Sequence, residues 1–160
     1  MDEQTPSELG NPQVNVRKAL FTMWVIWTAM LLGPLGFMYV EATVLSKGDR
    51  PQADPQSVMN LIVVAVVMLL AVIPATFFIR SMIFKRQRVN GVLPAAAYST
   101  GNLVFWAGCE SVSFFALIVV LIKGSFWPTI LIVGFAMLLQ VLTYPKREYL
   151  ESREESFKIQ

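Results

Sequence analysis

LVFWAGCESVSFFALIVVLI, residues 103–122, is a run of twenty residues that carries one charged side chain, Glu110. A helix of about twenty apolar residues is long enough to cross the hydrocarbon core of a bilayer. Glu110 is the eighth residue of the run, so it would lie well inside the membrane. An ionisable group is unfavourable there and is seldom present without a role. The run therefore predicts a transmembrane helix with Glu110 as the first candidate functional residue.

Composition places the whole chain among membrane proteins and excludes several functional classes. Of its 160 residues, 55% are hydrophobic and 15% are charged. The absence of histidine removes the commonest metal ligand and the commonest general base. The single cysteine, Cys109, has no partner for an intrachain disulfide. Because no nucleophile–base pair, phosphate loop or metal-ligand cluster is present, we expect no enzyme, metal or cofactor, and the net charge of +2 does not indicate nucleic-acid binding.

Four apolar segments predict an all-α bundle of four transmembrane helices, at about 19–40, 60–84, 95–122 and 127–144. These segments form one domain, 16–147, between a disordered tail, 1–15, and a mixed-charge tail, 148–160. The loop 41–58 between the first two spans is polar and shows no sign of a site. Pro34 and Pro74 lie inside spans, where proline removes a backbone hydrogen bond and kinks the helix.

Basic residues predict the orientation, because cytoplasmic segments of membrane proteins carry an excess of Lys and Arg. With both termini inside, ten of the 13 basic residues lie in inner segments and three in outer ones. We therefore predict a multi-pass protein of a bacterial inner membrane with both termini in the cytoplasm. Four residues near the inner end of the second span are candidate contacts for anionic lipid headgroups: Arg80, Lys85, Arg86 and Arg88.

The third span has two contrasting faces at about 100° per residue. One face carries small residues that let another helix approach closely, and these are predicted packing positions: Ala97, Gly101, Gly108 and Ser111. The opposite face is a polar stripe around Trp106 and Glu110. A helix with both faces is expected to lie inside the bundle or to meet another subunit.

Depth along the helices suggests polar neighbours for the acid. At about 1.5 Å per residue, Glu110 lies roughly 18 Å from Ile122, and Gln140 lies roughly 20 Å from Trp127 on the fourth span. The hypothesis is a buried polar cluster in which a neutral carboxyl donates a hydrogen bond: Glu110, Gln140, Thr28, Ser113 and Asn102. The alternative is that one buried acid is only a satisfied packing element.

The second hairpin, residues 60–123, resembles the c-type rotor-ring subunits of rotary ATPases. Arg86 and Gln87 match the basic cytoplasmic turn of those subunits, and Glu110 matches the carboxylate in the middle of their second helix. The resemblance implies that Glu110 carries a proton or a sodium ion.

Two functions therefore stay open for this chain. In the first it is a non-enzymatic subunit or scaffold of a membrane complex, with the lipid bilayer and other membrane subunits, or further copies of itself, as partners. In the second it translocates a proton or cation with Glu110 as the carrier. A site for a lipid-like or other small molecule is a further alternative.

Overall fold

The computed structural model describes residues 12–46, 54–88 and 93–146, and over these residues the chain is helical with no strand. The four helices are α1 Pro12–Leu45, α2 Pro55–Arg86, α3 Ala95–Lys123 and α4 Ile130–Leu142. The predicted all-α class and number of helices are confirmed for this part of the chain. Three of the helices are long and apolar enough to cross a membrane: Lys18–Val44 within α1, then α2 and α3. The predictions for residues 1–11, 47–53, 89–92 and 147–160 lie outside the described residues.

The first helix is longer at both ends than the predicted span 19–40. It begins at Pro12, so it includes residues 12–15, which the sequence analysis placed in the tail. Proline suits the first turn of a helix, because its missing N–H would have no helical partner there. The helix also continues past the polar residue Glu41 to Leu45, because that side chain lies on the buried face.

The second helix begins five residues before the predicted position. Asp54 is its N-cap, accepting hydrogen bonds from the Ser57 amide at 2.9 Å and the Ser57 hydroxyl at 3.0 Å. An N-cap carboxylate satisfies amides that have no partner within the helix. The cap, rather than the first apolar residue, therefore sets the beginning of α2.

This cap leads to a testable pH dependence. The Ser57 amide hydrogen bond, followed by the Ser57 hydroxyl bond, holds the pKa of Asp54 below its ordinary value. A lowered pKa in the folded state means that the cap stabilises α2 above the ordinary aspartate pKa and is lost as pH falls through the lowered value. We expect the Ser57 amide resonance in NMR to titrate with a midpoint below that of aspartate in an unfolded peptide, and to stop titrating in Asp54→Asn. A midpoint at or above the peptide value would contradict the cap.

The third helix agrees with its predicted span, 95–122. Pro94 is its N-cap, and Gly124 ends it in the left-handed conformation, with φ of 74°. Glycine reaches this conformation without the steric penalty of a Cβ atom. The Gly124 amide donates to the Val120 carbonyl at 2.8 Å, which closes the helix before the turn to α4.

The fourth helix is shorter than its predicted span, 127–144. Its 13 residues measure about 20 Å. Residues 127–129 form a tight turn with a cis Trp127–Pro128 bond, and residues 143–146 are not helical. The segment nevertheless follows α3 for most of its length in the opposite direction. Trp106 of α3 donates to the Thr143 carbonyl, and the Lys146 amide donates to Tyr98 near the start of α3.

The centre of the bundle is α3, which packs against α1, α2 and α4. In its most apolar stretch 56% of the residues are buried, against 11% in α1 and 6% in α2. The two contrasting faces of α3 predicted either a position inside the bundle or contact with another subunit, and α3 lies inside the bundle. The helix brings the candidate residue Glu110 against α1.

Candidate functional site

The carboxyl group of Glu110 lies against the backbone of α1. A Cβ atom added to Gly33 would stand 3.2 Å from Oε1 of Glu110 and 3.3 Å from the ring of Phe114. Glycine at this position therefore lets the acid approach the α1 backbone. The side chain of Glu110 is only partly buried, and no described residue hydrogen-bonds to it. An ionisable group thus stands at the middle of α3, at the edge of the bundle and without a polar partner in the described chain.

One side of α3 is left open between α1 and α2. Glu110 and Phe114 face α1, whereas Gly101 and Gly108 face Phe84 and Thr76 of α2. Four exposed residues fall between these two sets on a helical wheel, and they form what we call the α3 groove: Thr100, Ala107, Ser111 and Ile118. Its middle is lined by two small residues, and Glu110 stands at its border with α1.

Two glycines of α1 lie about 60° apart on its helical wheel, and the first of them borders the α3 groove. Gly33 lies beside Glu110, and Gly36 follows three residues later. Gly36 is exposed, and nothing lies within 4 Å of the position that its Cβ would take. Small residues on a helix surface allow a neighbouring helix to come close. These exposed small residues would let one further helix pack closely against α3.

The predicted polar cluster divides among several places. Thr28 is exposed on α1. Ser113 is buried and donates to the Cys109 carbonyl at 2.9 Å, and Asn102 is buried and donates to the Tyr98 carbonyl at 3.0 Å. Gln140 is buried on α4. Within the described residues, none of them hydrogen-bonds to the Glu110 carboxyl, so the acid and the buried polar residues are two separate features.

The predicted packing positions lie on different sides of α3. Ala97, Gly101 and Gly108 are buried, and the two glycines admit side chains of α2. Ser111 is exposed instead, in the α3 groove, with its hydroxyl donating to the Ala107 carbonyl at 2.8 Å. The groove and the α2 interface are thus lined by different small residues of one helix.

Aromatic donors hold the end of α4, a role that the sequence patterns did not reveal. The indole of Trp106 donates to the carbonyl of Thr143 at 3.2 Å and to its hydroxyl at 3.1 Å. The indole of Trp27 donates to the Gln140 carbonyl at 3.0 Å. The last carbonyls of a helix have no partner within the helix. Side chains of α1 and α3 therefore satisfy the end of α4.

Among the candidate headgroup contacts, Arg80 differs from the others. Its guanidinium lies 5.1 Å from the ring centre of Phe84 and 5.7 Å from that of Phe105, in cation–π geometry. Three further basic side chains at the end of α2 are exposed: Lys85, Arg86 and Arg88.

Glu41 is a second buried acid, and the sequence patterns did not predict its burial. It is only 1% exposed. Pro34, Phe37 and Glu41 are spaced by three and then four residues, which places them on one face of α1. This spacing could have predicted that Glu41 is buried. The sequence analysis places Glu41 at the start of the polar loop 41–58, so it does not predict that the buried face of α1 continues to this residue.

Comparisons with known proteins do not assign the chain: no protein-family model matches it, and no curated protein or solved structure is similar to it. The likeness to rotor-ring subunits therefore stays a resemblance of one hairpin. Within the described residues no group of His, Cys, Asp and Glu is placed to hold a metal ion.

Proposed function

We propose that the chain crosses the membrane four times and has both termini on the cytoplasmic side of a bacterial inner membrane. Three helices have the length and apolarity for a crossing. For the fourth, α4 contributes about 20 Å, and the residues after it continue along α3 as far as Lys146, whose amide donates to Tyr98. The hydrocarbon core to be crossed is about 30 Å thick. The excess of basic residues in the inner segments supports the orientation, and Arg80, Lys85, Arg86 and Arg88 would then lie near anionic headgroups.

We further propose that this protein is a non-enzymatic subunit of a membrane complex and binds a transmembrane helix of another protein in the α3 groove. The observation that carries this proposal is the position of Glu110: half-buried at the middle of α3, against the α1 backbone at Gly33, with no polar partner in the described chain. A carboxyl group in hydrocarbon needs a hydrogen-bond partner. A neighbouring helix in the groove supplies one.

The chemistry of the site indicates the kind of helix that fits. Small residues on both sides of the groove favour close contact between helix backbones, and the carboxyl favours a donor at the same depth, such as a hydroxyl, an amide or a basic side chain. A second copy packed symmetrically would bring two Glu110 carboxyls together, and two such groups disfavour each other's ionised forms. A different protein with a donor is therefore the better occupant.

The experiment compares native complexes extracted in mild detergent from cells that express either the original chain or a variant. We expect the original chain to migrate with a second membrane protein. Glu110→Gln is expected to weaken that association by about tenfold to 100-fold, because a hydrogen bond to a charged or shared-proton partner contributes about 1.5–3 kcal/mol. Gly36→Leu adds a large side chain to the α1 surface near Gly33, where nothing lies within 4 Å of the Cβ position, and is expected to have a similar effect.

Gly134→Leu is the matched control for the groove variant. Gly134 is likewise an exposed helical glycine with nothing within 4 Å of its Cβ position, but it lies on α4. This variant should keep the complex. A complex that survives both Glu110→Gln and Gly36→Leu, or one that contains only copies of this chain, would contradict the proposal.

Proton or cation translocation is the second candidate, and one observation favours it. Pro34 has no N–H, so the carbonyl of Met30 lacks its helical partner one turn from Gly33, where the Glu110 carboxyl lies. A carboxyl beside such a carbonyl is a suitable binding site for a proton or a cation. In proteoliposomes, pH-dependent flux that disappears in Glu110→Gln would support translocation over docking, and unchanged flux in that variant would remove it.

A further inference from the structure

Four polar side chains inside the bundle are fully enclosed, and none of them belongs to the Glu110 site. Asn102, Ser113, Thr129 and Gln140 are each 0% exposed. Both the oxygen and the nitrogen of the Gln140 carboxamide lack a hydrogen-bond partner in the described chain, as do Oδ1 of Asn102 and the hydroxyl of Thr129. Buried polar groups in folded proteins are nearly always satisfied by protein or by ordered water.

On a helical wheel, Asn102 and Ser113 share the face of α3 that carries Trp106 and meets Thr143, and Gln140 and Thr129 belong to the segment that contains α4. The hydrogen bond from Trp106 to Thr143 fixes the antiparallel register of the two. One turn further along both helices, Gln140 comes level with Cys109, which is also 0% exposed. By the same register Thr129 comes level with Val120.

The resulting line of polar groups is long. From Asn102 to the level of Thr129 is 18 residues of α3, or about 27 Å, with Gln140 and Ser113 between them. The gaps between neighbouring groups are about 10, 6 and 10 Å. They are too long for direct hydrogen bonds, but each can be bridged by a short chain of water molecules that hydrogen-bond to each other. A primary carboxamide offers two donors and one acceptor oxygen, which suits two or more waters.

We propose that the interface between α3 and α4 holds a file of internal water molecules that binds Asn102, Gln140, Ser113 and Thr129. Water is the ligand whose donors and acceptors match an amide oxygen, an amide nitrogen and hydroxyl groups alike. The file is enclosed in the bundle, so it differs in place and in occupant from the α3 groove. The proposal does not depend on the function of Glu110, and the experiment below does not involve that residue.

Cys109 provides a natural reporter for the test. Its thiol is 0% exposed, level with Gln140 and readily oxidised by hydroxyl radicals. In millisecond X-ray radiolysis of the full chain in lipid nanodiscs, radicals form from water in place, so an enclosed thiol is oxidised only when water lies beside it. We expect rapid oxidation of Cys109 in the original protein.

Two variants determine whether the reporter detects the file. Gln140→Leu removes the central water ligand and should lower the oxidation rate of Cys109 at least fivefold. Gly134→Ala, an exposed change on the same helix, should leave the rate unchanged. Absence of Cys109 oxidation in the original protein would overturn the proposal even if Gln140→Leu does not fold. An undiminished rate in a folded Gln140→Leu protein would overturn it as well.

Discussion

Gly108→Ala is expected to destabilise the bundle by about 1–3 kcal/mol, the usual effect of extra atoms in a well-packed core. The added Cβ would lie 2.7 Å from Cγ2 and 2.8 Å from Oγ1 of Thr76 on α2. Thr76 cannot easily move, because its hydroxyl bonds to the Val72 and Ile73 carbonyls at 2.8 and 3.1 Å and its branched Cβ restricts χ1. The measurement is the free energy of unfolding in mixed micelles under increasing SDS.

Two variants make this prediction specific. Gly134→Ala meets nothing within 4 Å and is expected to be neutral or to stabilise α4 by up to about 1 kcal/mol, because alanine favours the helix. Thr76→Ala combined with Gly108→Ala should restore part of the lost stability, giving a coupling energy between the two positions. If Gly108→Ala has the same free energy of unfolding as the original protein, α2 and α3 are not in close contact at this position.

Trp106→Phe is the second change with a large expected effect. It removes the indole N–H that bonds to Thr143 and leaves that part-buried carbonyl without its donor. An unsatisfied buried group costs about 1–3 kcal/mol, and the smaller ring adds a cavity around a side chain that is only 1% exposed. We expect faster hydrogen–deuterium exchange over residues 139–146, because the end of α4 loses one of its anchors.

Trp24→Phe is the control for this experiment. Trp24 lies edge-on to Trp27 at 5.3 Å and 6.3 Å from the ring of Tyr144, but it is 45% exposed and has no indole hydrogen bond within the described residues, and phenylalanine keeps an aromatic ring at both contacts. It should leave exchange in α4 unchanged, whereas Trp27→Phe should raise it through the Gln140 carbonyl. Equal exchange in Trp106→Phe and Trp24→Phe would show that the indoles do not anchor the helix.

The elements that could be predicted are those with local signals. The third helix has Pro94 before it and Gly124 after it, and both act directly on the backbone, so its bounds agree with the prediction. The first and fourth helices differ because their ends depend on other helices. Glu41 stays helical because its face is buried, and α4 ends early where Trp27 and Trp106 take up its carbonyls.

The site shows the same division between local and tertiary information. The apolar run identified Glu110, since a lone acid in such a run needs no knowledge of the fold. Its neighbour Gly33 and the open side of α3 could not be predicted, because they depend on how α1 and α2 are placed around α3. Thr28 was grouped with Glu110 because both lie at a similar depth along their helices. Depth does not determine which face of a helix a residue occupies, and Thr28 is exposed.

Photo-crosslinking in the native membrane tests most directly whether another helix occupies the α3 groove. A photoreactive side chain at Ala107 lies in the groove, and one at Val67 lies on the exposed face of α2. We predict an adduct between Ala107 and a single other membrane protein that is lost in Glu110→Gln and in Gly36→Leu, with no such adduct from Val67. Lipid alone at Ala107, or the same adduct with and without the Glu110 carboxyl, would contradict the account.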